Sequence, residues 1–217
     1  MSFKLFYAPG ACSFVPHALL ELSGAAFEPV LVKLHKGEQQ SAEYLAMNPR
    51  GQVPVLVDGS DVITQIVAIA LHLDQRLPEA GLLPVKGLER SRVIETLVWM
   101  NNTVHPTFTH VFMPQKFTDQ PDAQAAIRSF AVGQYRALLV EIEAMLARKT
   151  TPWLTGAQPG VLDAYALTFL RWGGFAGIDP TSFVESWAHA QRFAALPAVA
   201  RAVEREKLQL NVYKPAA

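Results

Sequence analysis

One cysteine occurs in the chain, Cys12, within "YAPGACSFVPHALLE". A lone cysteine is most often a small buried hydrophobe. This one lies where the carboxyl end of a strand turns into a helix. With Ser13 as the expected N-cap, the thiol should face backbone N–H groups that favour an anion and lower its pKa. Sheets with helices on their faces also place ligands at such points, outside the carboxyl ends of their strands.

Two more segments have chemistry in their spacing. In "NPRGQVPVL", Pro54 begins an apolar strand run. A proline there removes a ladder donor, so the segment reads as an edge strand or a bulge. A sharper reading is a cis Val53–Pro54 bond, with the backbone of Val53 free to pair with an extended, peptide-like ligand. In "TQIVAIALHL", Thr64 and Gln65 open a helix that buries Val67, Ile69 and Leu73 and whose N-terminus can receive a carboxylate. Farther along, "NNTVHPTF" sets His105 beside Pro106, where a helix should kink. His105 reads there either as a hydrogen-bonder at the kink or as a functional imidazole. Trp99, Phe108, Phe112 and Trp172 are expected to line an apolar pocket between domains.

Other chemistries fail on spacing. The chain has no G-x-S-x-G, no G-x-G-x-x-G, no phosphate loop and no H-E-x-x-H, so neither nucleotide nor metal is expected. No second cysteine follows Cys12, which excludes an internal dithiol cycle. Lys+Arg and Asp+Glu number 19 each, which argues against nucleic acid as a partner. A single thiol and an amino-terminal region broken at Pro9-Gly10 point to a reducing, cytoplasmic location. The apolar segments fall short of the ~18 residues a membrane span needs.

Positioning these groups requires two kinds of structure. Strand-like "FKLFYA" and "FEPVLVK", the hairpin "VPVLVDGSDVI", and helices over Phe14–Ser23, Ser41–Met47 and Gln65–Leu77 predict a small mixed α/β domain over residues 1–80. Residues 81–87, within the Pro- and Gly-containing "LPEAGLLPVKG", read as a linker. From 88 to 217 the period is helical, with a stripe of Ile127, Phe130, Gln134, Leu138, Ile142 and Met145 predicting a helical bundle.

Together, "YAPGACSFVPHALLELSG", "YLAMNPRGQVPVL" and "PGVLDAYALTFLRW" resemble the cytosolic glutathione transferases, in particular the bacterial beta class. The resemblance implies a thioredoxin-like amino-terminal domain, an all-α carboxy-terminal domain and a homodimer. It implies glutathione as co-substrate, without metal, and detoxifying transfer to a small hydrophobic electrophile. Cys12, Ser13 and His105 then correspond to the catalytic positions, and Gln52, Val53, Pro54, Gln65 and Ile66 to the glutathione-binding ones. Asp163 would cap the core helix. Two alternatives remain open: glutathione-dependent thiol-disulfide exchange through Cys12, and a non-catalytic binding protein.

The chain departs from the family pattern at three places. Ile66 replaces a hydroxyl donor, so Ile66→Ser is expected to tighten glutathione binding. Gly160 stands where Ser or Thr would cap, at an expected cost of a few tenths of a kcal/mol. Pro106 stands where a lysine can follow the histidine.

Overall fold

A computed structural model of the chain describes residues 3–215. Its sheet has the order β2-β1-β3-β4, formed by β1 Phe3–Tyr7, β2 Phe27–Leu31, β3 Val55–Asp58 and β4 Asp61–Thr64. β1 and β2 are parallel, joined through helix α1, Phe14–Ser23; the other pairings are antiparallel. α1 ends at Gly24, whose left-handed backbone at φ 69° a side chain would disfavour. Ser41 caps α2, Ala42–Met47, by accepting the Tyr44 N–H. α3 spans Ile66–Arg76.

The remaining regular elements are helical: α4 Gly87–Trp99, α5 His105–Phe112, α6 Pro121–Arg148, α7 Val161–Gly173, α8 Val184–Ala194 and α9 Pro197–Arg205. This is a thioredoxin-like α/β part followed by an all-α part. One hydrophobic core runs through both, from Leu5 and Leu19 through Leu97 and Phe169 to Val199. Among the described residues, no helix is long and apolar enough to cross a membrane.

The structure differs from the sequence expectation at α6 and adds detail at two other places. The buried stripe of α6 is Ala131, Tyr135, Leu139, Ile142 and Leu146, while Phe130 is 72% exposed. Both stripes keep helical spacing, and only packing against the neighbouring helices selects between them. The segment between α3 and α4, which reads as a linker, buries Leu82 and Leu83 in the core. At Pro106, where a kink is expected, the helix changes pitch. One π-helical turn, Met100–Val104, joins α4 to α5 directly before it, a local change of pitch that accommodates an interruption in the hydrogen-bond ladder.

The same close packing explains Gly160. A Cβ there would lie 2.5 Å from the Leu82 carbonyl oxygen and 2.7 Å from Thr155 Cγ2. The capping hydroxyl comes instead from Thr155, which accepts the Leu162 N–H at 3.1 Å. Asp163, fully buried, accepts from the N–H groups of Leu154, Thr155 and Gly160. Gly160 is therefore required by the approach of the Leu82 segment, and is not merely tolerated.

Candidate active site

Strand register brings the three amino-terminal segments together. Phe6 pairs with Val55, and Val55 with Thr64. The end of β1, the start of β3 and the start of α3 therefore share one end of the sheet. The Cys12 turn, the Val53-Pro54 segment and Gln65 all open from it. The Val53–Pro54 peptide is cis. Cys12 Sγ–H donates to the Val53 carbonyl at 3.5 Å, so the thiol and the proline segment meet directly.

Gln52 is held in place from behind. Its carbonyl accepts from Tyr44 Oη–H at 2.9 Å and from Asn48 Nδ2–H at 2.7 Å, which fixes the backbone leading into Val53. Gln65 has φ 71° and ψ 125°, an unusual conformation for a residue other than glycine. Strain of this kind, ~1–3 kcal/mol, persists where surrounding structure enforces it and clusters at ligand sites. Gln65 is exposed, and its carbonyl accepts the Ile69 N–H. The first N–H groups of α3 have no partner within the helix, and the Val55–Thr64 pairing puts the start of α3 at the same end of the sheet as Val53 and Pro54.

Several sequence expectations need correction. Ser13 is not a side-chain cap. Its backbone is helical and its hydroxyl is fully buried, accepting the Ala8 N–H and donating to the Ala8 carbonyl. It braces the turn from inside, and so does not present a donor to the cleft. Cys12 is half-buried, and burial pushes its thiol up to about 12 rather than down. The N–H groups of Cys12 and Ser13 act in the opposite direction, while the Glu206 charge adds to the rise. The helix N-terminus is present, but desolvation outweighs it.

Ile66 places its side chain in the core at 3% exposure, so only its backbone faces outward. Trp99 packs half-buried against the core. Phe108 and Trp172 stack at 4.5 Å, and Phe108 and Phe112 at 5.6 Å. His105 lies against this wall, with its ring 5.1 Å from Trp172 and Nδ1 3.5 Å from Tyr165 Oη. Burial, aided by the Lys116 charge, lowers its pKa to about 4, so the imidazole is neutral at pH 7.

Residues of the carboxy-terminal half hold the Cys12 turn. Glu206 Oε2 accepts the Gly10 N–H at 2.9 Å, and its Oε1 meets His17 Nδ1 at 2.6 Å, both side chains being fully buried. The Gly10 carbonyl accepts from Trp172 Nε1–H at 2.9 Å and from Arg171 Nη1–H at 3.4 Å. Sequence reading missed Glu206, Arg171, Tyr44, Asn48 and Tyr165. A local signal existed only for Tyr44 and Asn48, which flank the proline segment.

Comparison with known proteins agrees with this geometry. The family description "Glutathione S-transferase, N-terminal domain" matches residues 1–75. Glutathione S-transferase GstA of Escherichia coli O157:H7 is 34% identical over 209 residues, covering 95% of this chain and all of that protein. A sphingomonad glutathione S-transferase solved in complex with glutathione superposes with a TM-score of 0.80 at 32% identity, covering 95% of this chain and 100% of its own. The bacterial beta class enzyme of Sphingomonas chungbukensis gives the same TM-score, identity and coverage. On these similarities and this fold, the chain belongs to the cytosolic glutathione S-transferase family.

Proposed function

We propose that the protein is a glutathione transferase that conjugates glutathione to apolar electrophiles by stabilising the glutathione thiolate. The observation that carries this reading is the 3.5 Å contact between Cys12 Sγ and the Val53 carbonyl. It joins a thiol, a free peptide edge and a helix N-terminus in one cleft. Glutathione would lie extended along Val53 and Pro54, its cysteinyl N–H donating to the Val53 carbonyl. Its γ-glutamyl carboxylate would meet the N–H groups opening α3 at Ile66, next to Gln65 and Gln52.

Pairing of glutathione with the Val53 carbonyl frees the Cys12 S–H to turn and donate to the glutathione sulfur. The N–H groups of Cys12 and Ser13, already aimed at the Cys12 sulfur, add to the positive potential there. Lowering the glutathione thiol by two pKa units corresponds to ~2.7 kcal/mol of differential stabilisation, which hydrogen bonds from Cys12 and the helix N-terminus together can supply. The proton lost on ionisation passes to solvent, since an imidazole with a pKa of about 4 is a poor resting place for it. His105 serves instead as a wall of the acceptor pocket, together with Phe108 and Trp172. A cytoplasmic homodimer acting in detoxification is part of this proposal, as is its division into domains 1–80 and 88–217.

Thiol-disulfide exchange through Cys12 fits less well. A thiol at about 12 is ionised to roughly one part in 10⁵ at pH 7, and only the thiolate attacks a disulfide. The two readings separate in one assay. Cys12→Ala should retain conjugation of glutathione to an aryl chloride at a reduced rate. Complete loss of conjugation, with exchange activity present only in the wild type, would favour the disulfide reading. Failure of the wild type both to conjugate and to be retained on immobilised glutathione would leave a non-catalytic protein.

A further inference from the structure

Several arginines of this protein are paired with acids, among them Arg90, which like Arg171 is half-buried. Arg90 meets Asp74, while Arg201 and Arg205 share Glu21. Arg171 differs. Its Nε–H donates to the Gln209 carbonyl at 2.9 Å, its Nη1–H to the Gly10 carbonyl at 3.4 Å, and its guanidinium lies 5.4 Å from the Phe175 ring centroid. Among the described residues no carboxylate forms an ion pair with it, and Nη2 donates no hydrogen bond. Glu206, the acid whose field reaches it, has its oxygens engaged by His17 and Gly10. Burial lowers the Arg171 pKa, as it does for a cation whose desolvation is not fully compensated.

This cation stands at one end of an open aromatic surface. Phe175 and Phe112 are 47% and 50% exposed, with ring centroids 5.9 Å apart. Phe112 continues through Phe108 to Trp172, which itself bonds to Gly10 beside Arg171. The two rings are tilted 50° to one another and the guanidinium lies over the Phe175 ring, so an aromatic molecule stacked on Phe112 would meet the guanidinium on its Phe175 side, with the Cys12 turn beyond it. Lys116, whose charge reaches both Cys12 and His105, gives the entrance the same sign.

We propose that Arg171 selects acceptor substrates bearing an anionic group, such as a carboxylate, on an aromatic body. The ring rests on Phe112, beside Phe175, and the anion on the part of the guanidinium that donates no hydrogen bond. The inference rests on the transferase reading above, because it assigns these residues to the acceptor side of that site.

The test uses two glutathione conjugates, formed from chlorodinitrobenzene and from its ring-carboxylated analogue chlorodinitrobenzoate. Calorimetry gives their dissociation constants for the wild type and for Arg171→Met. The ratio of the two constants is the readout, so any general weakening of the variant's site cancels. The wild type is expected to bind the carboxylated conjugate about tenfold more tightly or better, the scale of one charge-assisted hydrogen bond. In Arg171→Met the ratio should fall to within about twofold of unity. Should that variant not fold, Arg171→Gln, which keeps donors and loses the charge, serves in its place with the same expected collapse. A wild type that does not prefer the carboxylated conjugate, or a ratio unchanged in the neutral variant, overturns the inference and leaves the transferase reading intact. A wild type that binds neither conjugate overturns both.

Discussion

Glu206 accepts the N–H of Gly10 at 2.9 Å, although the two residues are 196 positions apart. A carboxylate following α9 thereby fixes the turn that presents Cys12, and its other oxygen holds the buried His17 of α1. Removing the carboxylate leaves two buried donors unpaired. Glu206→Ala should lose about 3 kcal/mol of stability in urea unfolding and alkylate faster at Cys12, because Gly10 is then held through its carbonyl alone. Unchanged stability would mean that the carboxylate is dispensable to the turn.

Cys12 itself should titrate late. With its thiol pushed up to about 12 by burial, alkylation of the glutathione-free protein should rise about tenfold per pH unit from 7 to 9 without a plateau. A plateau below pH 8 would show a thiolate that desolvation does not suppress.

His105 makes stability depend on acid. Its pKa falls from 6.5 in the unfolded chain to about 4 in the folded protein, so between those values the unfolded chain binds the proton and the folded protein does not. The contribution is complete above pH 6.5 and is lost as pH falls toward 4, amounting to about 3 kcal/mol. The wild type should therefore lose more stability than His105→Gln across that interval. Equal slopes for the two proteins would contradict the burial argument.

Two substitutions toward the family pattern should weaken this chain. Ile66→Ser replaces a core side chain and should cost about 2–4 kcal/mol in urea unfolding. Gly160→Ser introduces a Cβ into the space occupied by the Leu82 carbonyl and should destabilise by about 1–3 kcal/mol. A stabilised Gly160→Ser protein would mean that the Leu82 segment yields readily.

These two positions also show what the sequence made legible. The order of strands and helices, the Asp58-Gly59 hairpin and the Gly24 cap follow from local turn chemistry, each readable within a few residues, whereas the residues around Pro54 alone leave an edge strand, a bulge or a cis bond open and only the resemblance to the family favours cis. Whether Ile66 faces the ligand or the core depends on where α3 meets the sheet, which no short window contains. The same holds for the α6 stripe, where a one-residue rotation exchanges Phe130 for Ala131. The pKa of Cys12 was misread because a helix N-terminus is visible in sequence, whereas the protein packed around the sulfur is not. Glu206 and Arg171 reach the Gly10 turn across 196 and 161 residues, and no spacing rule connects positions so far apart.

A crystal structure of the protein with reduced glutathione tests the proposed site at first hand. The cysteinyl N–H is expected on the Val53 carbonyl, the γ-glutamyl carboxylate at the start of α3, and the glutathione sulfur within hydrogen-bonding reach of an unmodified Cys12 that has turned away from Val53. Glutathione bound elsewhere, or a cleft that stays empty at millimolar glutathione, would contradict it.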